Sequence, residues 1–327
     1  MNKDWIDFLK SNNATISPEL EITFPENQQI NGNTVTPISH LSVLKVTGID
    51  AAQFLQGQLT CNINNLSEST SFYSAFCNAK GRTITTLLIY KKNDAYFIVL
   101  PTDLTDKVIT KLRMYILRSA VKIQNATDEL CLIGLTSSST TILPSLPKNQ
   151  FEISQSTIKF SSRNNRYLII NPVTEISALW TQLIQNHKVT AINSSTWKFQ
   201  DISEGIPWLN LATSEEYIPQ MLNIDKLGGI SFDKGCYTGQ EIVARTHYLG
   251  KAKRELFLAE CHPTAMLEGS IQIVINNSEQ AIGKVLSTQS NDKITRMLTV
   301  MQNSDTELQN LILDTPNKDK INLIDFQ

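Results

Sequence analysis

The stretch "KGCYTGQE", residues 234–241, concentrates groups that can do chemistry. It places the thiol of Cys236 next to the ammonium of Lys234 and ahead of the amide of Gln240 and the carboxylate of Glu241. Two glycines in the run permit positive φ angles and allow a ligand or a tight turn to approach the thiol. A nearby cation and the exposed amides of a turn favour the thiolate, which is the nucleophilic form of cysteine. These four residues are the candidate catalytic residues.

The same run also has a purely structural interpretation. It can be a tight connection into a strand "EIVAR" at 241–245, with Cys236 filling a gap and the nearby cations solvated. Spacing alone does not choose between a reactive and a structural thiol.

The remaining cysteines give no sign of a shared site. The five cysteines are widely spaced and contain no C-x-x-C pair: Cys61, Cys77, Cys131, Cys236 and Cys261. This disfavours a disulfide framework, a zinc site and a self-contained iron-sulfur cage. We therefore predict reduced thiols and no metal site.

Composition restricts the partners and the compartment. The 327 residues include 29 Lys and Arg against 31 Asp and Glu, so no global field attracts the protein to nucleic acid or to an anionic membrane. The N-terminus "MNKDWIDFLK" lacks a signal-peptide pattern, and no apolar run approaches the length of a membrane span. A cytoplasmic protein without membrane contact is expected. The fingerprints of dinucleotide, nucleotide-phosphate, hydrolase and zincin sites are missing.

The elements that must position the motif follow from hydrophobic periodicity. The order helix, strand, strand, helix is predicted from residues 47–60, 83–90, 95–100 and 102–118. A second α+β unit begins near residue 128, with strands at 130–135 and 166–170 and a helix at 175–186. Within that helix, Trp180 is predicted to belong to the core.

After about residue 254 the chain becomes a series of short strand candidates separated by polar turns such as "NNSEQ". We therefore predict an α+β protein with three subdomains: residues 1–127, residues 128–244 ending in the motif, and a C-terminal antiparallel β-barrel at 245–327.

The motif at residues 234–241 and several other blocks of the chain resemble those of a known family. Residues 234–241 match the signature K-G-C-[FY]-x-G-Q-E at every fixed position, and "FLQGQLTCNI", "FCNAKGR" and "EGIPWLNLATSEEYIPQMLNIDKLGG" resemble its supporting blocks. The signature is that of the YgfZ-type folate-binding proteins, which are relatives of the glycine-cleavage T-protein. The resemblance covers most of residues 41–286.

The resemblance implies a ring of two α+β subdomains and a β-barrel around a tetrahydrofolate pocket. It implies an accessory role in synthesis or repair of iron-sulfur enzymes, with clients such as tRNA methylthiotransferases and without direct nucleic-acid binding. It also implies that Cys236, the cysteine of the signature, is the residue on which the function of the family depends most.

The resemblance further implies four cofactor-binding residues. Trp197, ahead of "GIP", stands where the family has a pterin-contacting tryptophan, while Leu41 replaces a second family aromatic. Glu204 carries a carboxylate displaced by one residue from its usual place before Gly205. Arg82, in "AKGR", is a candidate anion contact.

Two alternatives remain open. One is a folate-dependent aminomethyltransferase of the glycine-cleavage type, although the T-protein's G-Y-T-G-E block is replaced here by "SSRNNRYLII". The other is a nucleic-acid or protein-binding module that uses the basic run from Arg245 to Arg254, a pattern more typical of a solvated face.

Overall fold

The computed structural model describes residues 1–25, 32–137, 142, 147–148, 151–154, 156–160, 165–263, 271–275, 281–302 and 310–326. The predicted turn "NNSEQ" and the first four residues of "SSRNNRYLII" lie outside these residues.

Six α-helices and three short 3₁₀ segments are present in the described chain. The helices are α1 Lys3–Ser11, α2 Ala51–Gln56, α3 Thr105–Arg113, α4 Val173–Gln185, α5 Ser194–Ser203 and α6 Gln240–Leu249. The 3₁₀ segments are Ile63–Asn65, Thr102–Leu104 and Pro219–Leu222.

Nineteen strands are present in the same residues. They are β1 Thr15–Ile16, β2 Ile22–Thr23, β3 Thr34–Pro37, β4 Leu41–Thr47, β5 Ser71–Cys77, β6 Thr83–Lys92, β7 Ala95–Pro101, β8 Lys122–Asn125, β9 Leu130–Thr136, β10 Ile153–Ser154, β11 Thr157–Lys159, β12 Arg166–Pro172, β13 Thr190–Ala191, β14 Arg254–Cys261, β15 Gln272–Ile275, β16 Ala281–Ser290, β17 Thr295–Gln302, β18 Leu311–Leu313 and β19 Asn322–Ile324.

The chain divides into two compact units, each assembled from separate stretches. The first comprises Met1–Ala51, Asn65–Phe72 and Leu88–Trp197, and the second comprises Ala52–Asn64, Tyr73–Leu87 and Lys198–Gln327. The three subdomain boundaries predicted from the sequence stay a prediction.

The first unit contains a six-stranded sheet of order β10-β11-β12-β9-β3-β13, in which only the β13–β3 pair is parallel. Helix α4 packs against it because Ile176, Trp180 and Leu183 recur on one face and are fully buried. The Trp5 ring of α1 meets the Trp180 ring edge-on, with 5.8 Å between centroids. The core position predicted for Trp180 is confirmed.

A five-stranded sheet has the order β5-β6-β7-β4-β8, and its β6–β7, β7–β4 and β4–β8 pairs are antiparallel. The predicted strands at 83–90 and 95–100 are its members β6 and β7, and the polar "KKND" joins them as a hairpin. Strands β7 and β4 are buried along nearly their whole length, which explains their near-continuous apolar sequences.

The second unit contains a six-stranded antiparallel sheet of order β18-β15-β16-β17-β14-β19. Its apolar face forms a separate core that includes Ala259, Ile273, Met297 and Leu313. The predicted C-terminal strands are confirmed, and so is the α+β class. One local prediction was wrong, because "EIVAR" lies in helix α6 and not in a strand. In the chain as described, no helix is long and apolar enough to cross a membrane.

Candidate functional site

Two glycines from different sequence blocks pack together beneath the motif turn. Gly239 has φ +83°, and a Cβ there would lie 2.5 Å from the carbonyl oxygen of Asn78 and 2.9 Å from the Cα of Gly81. Gly81 has φ +68°, and its own Cβ would lie 2.8 Å from the Cβ of Ile242. Both positions require glycine for conformation and for space, so the "AKGR" turn and the start of α6 pack directly against each other.

Hydrogen bonds fix the path of the turn. The N–H of Thr238 donates to the carbonyl of Gly57 (3.1 Å), and the N–H of Gln240 donates to the carbonyl of Tyr237 (3.1 Å). The side-chain oxygen of Gln240 accepts in return from the N–H of Tyr237 (3.3 Å). The amide of Gln240 therefore closes the turn, and its catalytic role stays a prediction.

The ammonium of Lys234 is directed into the protein and not toward solvent. Its Nζ donates to the carbonyl oxygens of Leu59 (2.6 Å) and Cys61 (2.7 Å), and it lies 5.0 Å from the centroid of the Tyr237 ring. The side chain is 7% exposed. The ammonium therefore joins the motif to the segment that carries Cys61, and its predicted influence on the Cys236 thiol stays a prediction.

Burial is the main cause of the pKa shifts of Lys234 and Cys61. Desolvation lowers the pKa of Lys234 to about 8, with the Cys61 thiol opposing the shift. Desolvation also raises the pKa of Cys61, and the Ser74 hydroxyl and the Lys234 charge offset only part of that increase. Burial therefore disfavours the charged form of Lys234, although its ammonium keeps two carbonyl acceptors.

Cys236 differs from the other cysteines in exposure. All five cysteines are described. Cys236 is exposed, and the other four are buried. Burial raises the pKa of Cys77 and of Cys131 to about 12 in each case. A buried thiol with a raised pKa is unreactive, so Cys236 is the thiol that an external partner can reach.

The remaining predicted polar residues lie at or near the surface of the second unit. Glu241 is exposed in the first turn of α6, where the helix dipole favours a carboxylate. Glu204 is half-buried just after α5 and precedes Gly205, which packs against the ring of Phe326. Arg82 is exposed, and its Nη1 donates to the carbonyl of Glu216 (2.5 Å).

The two predicted apolar cofactor contacts, Trp197 and Leu41, belong to the first unit, and both side chains are buried. Trp197 is 1% exposed, and the guanidinium carbon of Arg166 lies 3.9 Å from the centroid of its ring. A Cβ at Gly134 would lie 2.1 Å from Trp197 Cε3, so the sheet backbone contacts the indole directly. Leu41 is 2% exposed in β4. A pterin stacked on Trp197 would have to displace these neighbours, and the folate-contact role of both residues stays a prediction.

Sequence reasoning missed the partners that hold the motif. These are the carbonyls of Leu59 and Cys61 and the packing of Asn78 against Gly239. The blocks "FLQGQLTCNI" and "FCNAKGR" carry all of them, and their resemblance to family blocks was the available signal. Every residue has a backbone carbonyl, so the residue types alone could not predict which carbonyls accept hydrogen bonds from Lys234.

Comparison with known proteins first gives the class. A family model described as the GCVT N-terminal domain matches residues 27–187. The structure superposes on the glycine cleavage system aminomethyltransferase T from Bartonella henselae with a TM-score of 0.76, covering 99% of this chain and 96% of that chain at 13% identity. The protein therefore has the fold of the aminomethyltransferase T-proteins.

A curated relative then gives the family. The chain is 32% identical over 242 residues to the tRNA-modifying protein YgfZ of Colwellia psychrerythraea, an alignment that covers 71% of this chain and 73% of the relative. This protein belongs to the YgfZ family, as the motif indicated.

Proposed function

We propose that this protein is a tetrahydrofolate-binding accessory protein that supports synthesis or repair of iron-sulfur enzymes, including those that thiomethylate tRNA. The observation that carries the proposal is the exposed thiol of Cys236 on a turn fixed from both sides. The family relationship and the relative's name, which concerns tRNA modification, support the same assignment.

In the proposed function, the exposed thiol of Cys236 reacts with or binds a group on a client protein. An exposed cysteine on a rigid turn keeps a constant position, so little ordering is needed when a client approaches. In the proposed function, Cys236 is the group that meets the client, and Lys234 holds the turn in place from within.

A tetrahydrofolate ligand fits the predicted residues only in part. Arg82 and Glu204 are accessible and can supply an anion contact and a hydrogen-bond acceptor. Trp197 and Leu41 offer no open surface for the pterin. Because of this disagreement we assign no chemical step to the folate.

Calorimetric titration with tetrahydrofolate, in reducing and oxygen-free buffer, tests the ligand. We expect micromolar binding by the wild type and at least about tenfold weaker binding by Arg82→Ala, because a charge-assisted contact to a ligand anion contributes about 1.5 kcal/mol or more. Lys80→Ala, an exposed cation in the same turn, is the matched control and should bind like the wild type. No binding by the wild-type protein would contradict the folate assignment.

Cells whose only copy carries Cys236→Ala test the thiol. We expect reduced iron-sulfur enzyme activity under oxidative stress and a smaller fraction of thiomethylated tRNA nucleosides, measured by mass spectrometry. Cys261→Ala, which removes a buried thiol, is the control. Full activity in the Cys236→Ala cells would show that the thiol is dispensable. Release of ammonia from an aminomethyl-lipoyl carrier by the purified protein and tetrahydrofolate would indicate an aminomethyltransferase instead.

A further inference from the structure

A cleft lies in the second unit, at the opposite end of α6 from the motif. It has a volume of about 230 Å³. Its lining includes Gln220, Asn223 and Asp225, the end of α6 at Thr246 and His247, and the chain between Gly250 and Glu255 except Lys253.

Three residues that line this cleft each carry a buried acceptor oxygen without a donor. The oxygens are Oε1 of Gln220, Oδ1 of Asn223 and Oδ1 of Asp225, and none has a hydrogen-bond partner within the described residues. Gln220 is 8% exposed and Asn223 is 6% exposed. Buried acceptors are nearly always satisfied in folded proteins, so three in one cleft indicate a missing donor group.

The orientation of both amides is fixed by their nitrogen atoms. Nε2 of Gln220 donates to the carbonyl of Val243 (2.6 Å), and Nδ2 of Asn223 donates to the carbonyl of Leu256 (3.3 Å). Flipping either amide would place an oxygen against a carbonyl oxygen. The amide oxygens must therefore remain the atoms that lack a partner.

The segment that carries the acceptors is held in place before any ligand binds. The N–H of Ile224 donates to the carbonyl of Pro219 (3.1 Å), and that of Leu227 donates to the carbonyl of Asn223 (3.1 Å). Asn223 has φ +55°, a conformation that asparagine tolerates better than most residues. A preformed set of acceptors loses little entropy when it binds a ligand.

The other part of the lining is cationic. Lys251 and Arg254 belong to the cleft, while the ammonium of Lys226 is already paired with the carboxylate of Glu255. The cleft thus combines a group of acceptors with a group of cations. The end of α6, where helix carbonyls carry partial negative charge, adds to the attraction for a positive ligand group.

We propose that this cleft binds a small zwitterion of the α-amino acid class. The ligand's ammonium has three N–H donors for the three unpartnered oxygens, and its carboxylate faces Lys251 and Arg254. A divalent metal ion would fit less well, because cationic side chains surround the few carboxylates. The three oxygens belong to Gln220, Asn223 and Asp225.

Calorimetric titration of the full-length protein with glycine and a panel of L-amino acids tests the proposal. At least one amino acid should bind, with a dissociation constant raised at least tenfold by Asp225→Asn, which keeps the side-chain shape, and by Lys251→Ala. Lys253→Ala is the matched control, because Lys253 is an exposed cation in the same stretch and is absent from the cleft lining. Methylammonium and acetate, which each carry half of the ligand's charges, should bind more weakly than the amino acid.

Three outcomes would overturn the proposal. They are no binding by any amino acid, which leaves the oxygens to ordered water; binding that Asp225→Asn and Lys251→Ala do not change; and tight binding of Mg²⁺ or Ca²⁺ in place of an amino acid. The cleft does not include Cys236 or the predicted folate contacts, so the outcome is independent of the proposed function.

Discussion

The motif turn and the surroundings of Trp197 are the two regions from which the sequence predicted function, and the fold treats them in opposite ways. At the turn, the backbone is fixed from beneath while the thiol of Cys236 stays exposed. Around Trp197, Gly134 and Arg166 cover the ring completely. A functional group needs both a fixed position and access, and only the turn supplies both in this structure.

The comparison also separates two kinds of cation. Arg166 is fully buried and stacked on the Trp197 ring, where its charge is stabilised by the π-system. Lys234 is also buried, but its ammonium donates to two backbone carbonyls, and burial lowers its pKa to about 8. The first cation stabilises a core, whereas the second connects a surface motif to the core.

The largest expected effect on stability comes from replacing Trp197. Replacing it with alanine should lower the free energy of unfolding by about 3–5 kcal/mol, because a fully buried indole leaves a cavity behind. Denaturant titration measures this change. Tyr248→Ala, at a residue that is 62% exposed, is the control and should change stability by about 0.5 kcal/mol or less. Unchanged stability with lost folate binding in Trp197→Ala would make the indole a ligand platform after all.

The next effect is at Lys234. Lys234→Met should cost about 3 kcal/mol of unfolding free energy, because the buried carbonyls of Leu59 and Cys61 lose their donor. The alkylation rate of Cys236 in the native protein should change little. If stability were unchanged and alkylation much slower, Lys234 would act on the thiolate, as the sequence suggested. Lys80→Met is the exposed control.

The two motif glycines give a matched pair. Gly239→Ala should cost about 2 kcal/mol, because φ is +83° and the new methyl meets the backbone of Asn78 and Gly81. Gly235→Ala should cost about 0.5 kcal/mol or less, because a Cβ there meets nothing within 4 Å. Thermal or denaturant unfolding compares them. Equal costs would mean that the packing under the turn does not stabilise it.

The last prediction concerns the pH dependence of stability that Lys234 contributes. Its pKa is about 8 in the folded protein and 10.5 in the unfolded chain, so the unfolded chain binds more protons between these values. The unfolding free energy contributed by this residue therefore rises with pH from 8 to 10.5. The difference in unfolding free energy between wild type and Lys234→Met, measured under reducing conditions, should rise over that range. A flat difference would mean that the ammonium keeps its ordinary pKa.

Local pattern explains why most of the fold was predictable. The helical face of Ile176, Trp180 and Leu183 and the apolar runs of β6 and β7 specify their elements without distant contacts. The error at "EIVAR" has a physical reason. Its β-branched residues favour a strand, but the closed turn at Gly239 starts a helix there.

The sequence by itself determined the family and the α+β class, and it singled out Cys236 as the candidate reactive cysteine. These depend on local periodicity and on an uninterrupted motif, both of which are contained in contiguous residues. Only the tertiary structure decided where the ammonium of Lys234 points, that Trp197 is closed, and that three unpartnered oxygens share a cleft. Backbone carbonyls and burial carry no local signature, because both are set by segments that meet only when the chain folds.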